Sequence, residues 1–226
     1  MYPIICKIGP FTIYSYGLML VLAFLAASHL AGAQAKKESI DKEIILNLAF
    51  VAFISGIIGA RVLYVLQNIG HYLANPLEII MLQYGGLSWF GGLISGSLCA
   101  AGYLKKKKLS VYKAMDLVAP FAALAQSIGR LGCFLNGCCY GKDAIPAQLY
   151  SSLILVLIFI ILRILQERPH KEGRIFFTYL LLYSLKRFFI EFFRGDAQII
   201  FAGLTLFQLM SIAIFIFAAI KCRNIR

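Results

Sequence analysis

Charge is what this sequence has least of, and acid least of all. Only 10 Asp and Glu stand against 22 Lys and Arg in 226 residues, and charged residues make up 14% of the chain, against about a quarter in a soluble domain. With 61% apolar residues and a mean hydropathy of +0.82, the chain cannot hide its apolar surface in one water-soluble core. The six cysteines, at 6, 99, 133, 138, 139 and 222, form no CxxC pair and have no histidines at zinc-finger spacing, which argues against a disulfide framework or a zinc finger. Histidine is scarce too, at 29, 71 and 170 only, so few side chains can serve as a general base near neutrality. No internal repeat is evident, which weighs against a transporter built from duplicated halves. The opening residues, MYPIICKIGPF, lack a basic leader and the first apolar run has no clean small-residue cleavage site. No cleavable signal peptide is therefore expected.

What the chain does have is apolar runs near 12–34, 44–66, 86–104, 115–135, 148–166, 175–193 and 199–220. Each is long enough to cross roughly 30 Å of hydrocarbon as a helix. The expected fold is all-α, a polytopic integral membrane protein of about seven transmembrane helices, with residues 1–226 forming a single membrane domain. Between the runs the charges alternate. Lys36, Lys37, Lys42, Lys105 to Lys108, Lys113, Arg163, Arg168, Lys171, Arg174, Lys221, Arg223 and Arg226 put 15 cations on one side, and Lys7, Lys142 and Arg194 put 3 on the other. By the positive-inside rule the N-terminus is outside and the C-terminus cytoplasmic. The cations follow topology rather than one basic face, so no nucleic-acid partner is expected.

Arg61, Arg130, Lys186 and Arg187 are the cations left inside the apolar runs, with Glu191 beyond the last pair. A charge at membrane depth costs several kcal/mol on some scales and needs a partner or a function. Spans two, four and six run outward and carry these residues late, so all five charges fall in the outer half of the bilayer. Snorkelling to outer headgroups is the bland alternative and suits Lys186 best. For Arg130 and Arg187 a ligand is favoured, because a guanidinium presents a planar fork of donors that matches phosphate. Arg187 and Glu191 stand at i and i+4, so they share a helix face. Two glycine-rich segments, GGLSWFGGLISG at 85–96 and GRLGCFLNGCCYG at 129–141, lie at the same depth. Glycine in a membrane helix is usually packing, but Arg130 and Asn136 lift the second segment above that reading.

These segments resemble the prolipoprotein diacylglyceryl transferases. KIGPFTIYSYGLM, GARVLYVL, NPLEI with GGLSWFGGLISG, GRLGCFLNGCCYG, IPAQLYSS and YSLKRFFIEFFRGD follow one another in the family's order along the whole chain. The resemblance implies transfer of a diacylglyceryl group from phosphatidylglycerol to the lipobox cysteine of a preprolipoprotein signal peptide in the bacterial cytoplasmic membrane, with a thioether formed and glycerol phosphate released. It implies catalytic parts for Tyr16, Arg130, Arg187 and Glu191, and substrate contacts for Asn136, Gly141, Arg194, Arg61, Gly91 and Gly92. Besides these substrates only membrane lipids are implied as partners, no cofactor and no metal is implied, and the oligomeric state is left open.

Three positions depart from the family pattern. Phe90 stands where the family usually has histidine, Cys133 where it has asparagine and Cys138 where it has glutamate. Phe90 cannot accept a proton, so a thiol acceptor would need another base, water or a different chemistry. His71, in the outer loop, is a weak substitute. For Cys133, Cys138 and Cys139, facing the oxidising side, a redox pair, a metal site or an acyl-accepting thiol is conceivable, with plain packing ahead of all three. A related enzyme with another acceptor and a non-catalytic lipid binder or transporter are the competing readings.

Labelling of single cysteines placed in the 67–85 and 105–113 loops of intact cells tests the topology. The first loop should react with an impermeant reagent and the second should not; the same compartment for both would overturn the orientation.

Overall fold

In a computed structural model describing residues 3–8, 11–81, 85–142, 145–195, 199–201 and 203–225, the chain is dominated by helices. A short antiparallel hairpin, β1 (Ile4–Ile8) with β2 (Phe11–Tyr14), precedes α1 (Ser15–Lys37). There follow α2 (Lys42–Gln67), the short α3 (Ile69–Ala74), a 3₁₀ turn at Pro76–Ile80, α4 (Trp89–Lys106), α5 (Val111–Asn136), α6 (Ala147–Gln166) and α7 (Arg174–Phe192). A second small hairpin, β3 (Ile199–Phe201) with β4 (Leu204–Thr205), leads into α8 (Leu206–Asn224).

The all-α membrane architecture is as expected, with two differences at the ends of spans. The first and last runs begin as hairpins, so α1 starts at Ser15 and α8 at Leu206. The backbone polar groups of Ile199–Phe201 pair across a two-stranded turn instead of along a helix. Five helices, α1, α2, α5, α6 and α8, are long and apolar enough to cross a membrane by length and composition. The other two long helices are shorter or more charged: α4 has 18 residues ending in Lys105 and Lys106, and α7 carries Lys186, Arg187 and Glu191. The apolar outer faces are wide open, with Leu98 68% and Leu153 60% exposed, as lipid-facing surfaces are.

The chain divides into two units, residues 1–34 with 112–226 and residues 35–111. The smaller unit is built on the crossing of α2 and α4. Gly59 and Gly91 meet backbone to backbone, and a methyl added at Gly91 would strike the Gly59 carbonyl oxygen and come 2.7 Å from Cβ of Leu63. Ser95 donates to the Ser55 carbonyl at 2.8 Å across the same seam. Small residues allow this approach, and in lipid the gain is close packing rather than water expelled.

In the larger unit Ala119 and Ala123 of α5, Leu155, Ile158 and Leu162 of α6, and Ile175 and Tyr179 of α7 form a buried apolar cluster. One end is fixed by Asp116, whose carboxylate accepts the N–H groups of Gly173 at 2.6 Å and Phe176 at 2.7 Å. The first N–H groups of a helix have no partner within it, and here a buried acid from α5 supplies one to α7. Gly173 sits at φ 91°, a conformation only glycine adopts freely.

Gly91→Leu should cost about 2–3 kcal/mol by overpacking the α2–α4 seam, roughly 5–10 °C in Tm. Gly102→Ala, on the same helix but with nothing within 4 Å of the added methyl, should be neutral or slightly stabilising. Thermal unfolding in detergent reads both; equal losses would show that the seam is not close-packed.

Candidate functional site

The larger unit gathers its polar side chains at one end, where α5 and α7 finish and α1, α6 and α8 begin. Lys186, Arg187 and Glu191 of α7 are 5%, 8% and 3% exposed, so they point into protein and snorkelling is not their occupation. Nη2 of Arg187 lies 3.0 Å from Oε2 of Glu191, and Nη1 of Arg194 lies 3.9 Å from the same oxygen. These are ion pairs by distance, yet no donor among the described residues is aligned on Oε2 as a hydrogen bond. Oε1 is better served: the Thr205 hydroxyl donates to it at 3.2 Å. Thr205 is also the N-cap of α8, in a reciprocal capping box with Gln208, so one residue ties the start of α8 to the acid of α7.

The other cations are placed by the neighbouring helices. Lys186 donates to the Ser151 hydroxyl of α6 at 3.2 Å and sits 4.6 Å from the centre of the Tyr183 ring. The Arg187 guanidinium lies 4.4 Å over Phe207 of α8. Arg130, in the last two turns of α5, is near enough to feel both Lys186 and Arg187 electrostatically, and among the described residues it has no hydrogen bond or ion pair. Among the described residues these cations meet only one carboxylate, that of Glu191, which leaves their combined charge positive in a partly desolvated setting, where positive charge attracts an anion strongly.

The segment after α5 closes this end. Gly141 pairs with Arg194 as an antiparallel bridge, Lys142 N–H donates to the Phe193 carbonyl at 2.8 Å, and Gly195 N–H donates to the Tyr140 carbonyl at 3.0 Å. A side chain at Gly141 would lie 3.1 Å from the Phe193 oxygen and 3.2 Å from Cβ of Ala147, so the closure requires glycine. Gly132 brings α5 against α1, where an added methyl would come within 2.9 Å of Cβ of Met19 and 3.4 Å of the Tyr16 ring. Tyr16 thereby shares its electrostatic surroundings with Arg130, Cys133, Cys138 and Cys139. Asn136 ends α5 with its side chain exposed. Beyond that helix, a hydrogen bond from Cys133, with Arg194 and Arg130 nearby, holds the Cys139 thiol below its ordinary pKa.

Arg61, expected from the sequence to contact substrate, has another occupation in the smaller unit. Its Nε donates to the Ile79 carbonyl at 2.8 Å, Nη1 to Gly85 at 2.6 Å and Gly86 at 2.9 Å, and Nη2 to Glu78 at 2.5 Å and Met81 at 3.3 Å. Tyr72 stacks against it at 5.3 Å. Every nitrogen that can donate is engaged by the loop after α3, which leaves no fork for phosphate. Gly91 and Gly92 similarly face α2 at the seam, the latter with its added methyl 3.2 Å from the Gly56 oxygen. His71 is paired with Glu78 at 2.8 Å on an exposed surface, and Phe90 packs edge-on against Trp89. Gly9, Pro10 and Asp196 of the motifs lie outside the described residues.

Thr205, Ser151 and Phe207 belong to the site but are not singled out in the sequence, although Ser151 lies within the IPAQLYSS segment. Only a Thr-x-x-Gln capping box at 205–208 could have marked the first of them.

Helices apolar enough to span a membrane, with buried cations gathered at one end, define a polytopic membrane protein with a candidate anion site. The model of the prolipoprotein diacylglyceryl transferase family matches residues 3–222, and the chain belongs to that family. The phosphatidylglycerol–prolipoprotein diacylglyceryl transferase of Clostridium tetani is 36% identical over 218 residues, covering 88% of this chain and 87% of its own length. Those of Streptococcus mutans, at 35% over 96% and 93%, and Streptococcus agalactiae, at 32% over 95% and 92%, are similarly related.

Arg61→Lys should loosen the 78–86 loop, because an ammonium offers at most three donors and no planar fork. Limited proteolysis should cut there severalfold faster than in the parent. Unchanged cleavage would mean that the guanidinium does not hold the loop.

Proposed function

We propose that this protein is a transferase that moves the diacylglyceryl group of phosphatidylglycerol to the lipobox cysteine of a prolipoprotein, forming a thioether and releasing glycerol phosphate. The membership of the family and the names of its relatives support the reading. The observation that carries it is Arg130, a guanidinium with no hydrogen-bond or ion-pair partner among the described residues, placed beside the buried Lys186 and Arg187. Such an arrangement awaits an anion, and a lipid phosphate is the anion a membrane supplies.

The reaction breaks a carbon–oxygen bond of the glyceryl group, so negative charge develops on the departing phosphate. Arg130 and Arg187 bind that phosphate, and preorganised donors at a developing anion are worth a large share of the barrier. Glu191 fixes the Arg187 fork and is itself fixed by Thr205. Arg194 adds charge at the same carboxylate oxygen. Tyr16 and the exposed Asn136 lie towards the same end, and Gly141 lets the closing segment pack against Phe193 and Ala147. We place the protein in the bacterial cytoplasmic membrane with α4 and α7 completing seven spans, the N-terminus outside and the C-terminus in the cytoplasm.

A second reading, a related enzyme with another acceptor, rests on Phe90, Cys133 and Cys138, the three positions that leave the family pattern. General-base help is worth roughly 10²- to 10⁴-fold, so a chain lacking the histidine can retain catalysis through phosphate stabilisation.

Arg130→Ala should nearly eliminate lipid transfer to a lipobox peptide in a reconstituted assay, whereas Phe90→His should raise the rate or shift its pH profile. Protein that binds phosphatidylglycerol but never modifies such a peptide, even as Phe90→His, would favour the second reading.

A further inference from the structure

The cysteine cluster is absent from the roles above. The Sγ atoms of Cys133, Cys138 and Cys139 all lie within 4.8 Å of one another. Ligand sulfurs 2.3 Å from a tetrahedral metal stand about 3.8 Å apart, so the three thiols need to contract by about 1 Å or less, within reach of small side-chain rotations. Their backbone is not loose. Cys138 N–H donates to the Cys133 carbonyl at 3.1 Å, Gln148 of α6 donates to the Cys138 carbonyl at 2.9 Å, and Gly195 N–H, from the segment after α7, donates at 3.0 Å to the carbonyl of Tyr140, which follows Cys139. Within this fixed turn Cys139 adopts φ 58°, a left-handed conformation that a residue with a side chain adopts at a cost. The turn thereby brings its thiol back towards Cys133.

Charge supplies a second, independent observation. Three thiolates on a divalent metal carry one net negative charge, which is costly beside a membrane unless balanced. Arg130 and Arg194 are the cations that act on these sulfurs. Among the described residues no fourth histidine, cysteine or carboxylate joins the group. Structural zinc sites are closed by four protein ligands, and sites with three leave a position for water or substrate.

We propose that Cys133, Cys138 and Cys139 form a zinc-class trithiolate site at the C-terminal end of α5, and that its open fourth position takes the thiol of the acceptor. The second half rests on the transferase reading above. It departs from the sequence expectation of no metal, and it accounts for a chain with phenylalanine at position 90. A thiol bound to zinc is deprotonated outright, so no imidazole is needed. The acceptor thiol displaces a bound water and gives its proton to solvent. Its sulfur then attacks the glyceryl carbon, the carbon–oxygen bond breaks, and the electron pair leaves with the phosphate held by the arginines. The metal changes neither charge nor oxidation state.

The full chain, purified in detergent, reduced and stripped with a chelator, is titrated with Co²⁺ as the probe. We expect one equivalent to bind with a thiolate charge-transfer band and to be displaced by Zn²⁺. Cys138→Ser or Cys139→Ser should weaken binding by more than about 100-fold, beyond the roughly 10- to 100-fold loss that outer-shell partners alone cause. Cys222→Ser should not. A peptide with a lipobox cysteine should alter the cobalt spectrum, and its serine counterpart should leave it unchanged. No stoichiometric binding, binding retained without Cys138 and Cys139, or a disulfide that excludes metal would overturn the site. Equal lipid transfer by metal-free and zinc-loaded protein would overturn the acceptor role and leave the transferase reading intact. A cobalt spectrum that answers to the cysteine peptide in protein that transfers no lipid would uphold the site and sink that reading instead.

Discussion

A guanidinium inside a hydrocarbon layer costs several kcal/mol unless protein surrounds it, and the larger unit is organised by that cost. Arg187 and Glu191 are both buried, and breaking such a pair by removing one member typically costs roughly 3–5 kcal/mol because the other charge is stranded. The pair therefore has to be enclosed by other elements. Thr205 grips the acid from the start of α8, Phe207 covers the guanidinium, and Ser151 of α6 takes the neighbouring lysine. Two helices are drawn to one end of α7 by what its charges require.

The same rule gives opposite fates to chemically identical side chains. Arg61 meets five carbonyl oxygens in a loop whose own backbone makes few regular hydrogen bonds, and each side satisfies the other. Backbone carbonyls left unpaired near lipid are expensive, so the arginine stabilises the loop as much as the loop solvates the arginine. Arg130 meets no such oxygens among the described residues. Its neighbours are other cations and thiols, and a positive group kept in that company is held there by the rest of the fold at a cost that an arriving anion removes. Burial with partners makes Arg61 a structural residue, and partial burial without them among the described residues leaves Arg130 a candidate for binding.

The thiols extend this logic. Cys133 and Cys138 replace residues that the family pattern fills with amide and carboxylate, and the turn after α5 brings Cys139 to meet them. Two substitutions that look like losses in the sequence become, with a third cysteine that sequence spacing does not single out, one set of soft donors. Arg130 and Arg194 act electrostatically on that set, and Arg194 also approaches Glu191, so the thiols and the buried ion pair lie at the same end of the larger unit.

The sequence by itself determined the solvent and the class of fold, because a shortage of charge and repeated apolar runs admit only membrane helices with satisfied backbones. It also determined that Arg187 and Glu191 share a face, since i and i+4 are neighbours on any α-helix. Helix boundaries near the first and last runs were not legible, because the hairpins at Ile4–Tyr14 and Ile199–Thr205 are as apolar as the helices they precede. Nor was the division of labour among the arginines. Arg61 and Arg130 look alike in the sequence, each late in an apolar run beside glycines, and only the tertiary structure decided which one meets carbonyl oxygens and which meets none. Hydrogen bonds to residues 17 to 25 positions away, like the approach of Thr205 to Glu191, depend on where chain reversals bring the backbone, and no local pattern of residues encodes that.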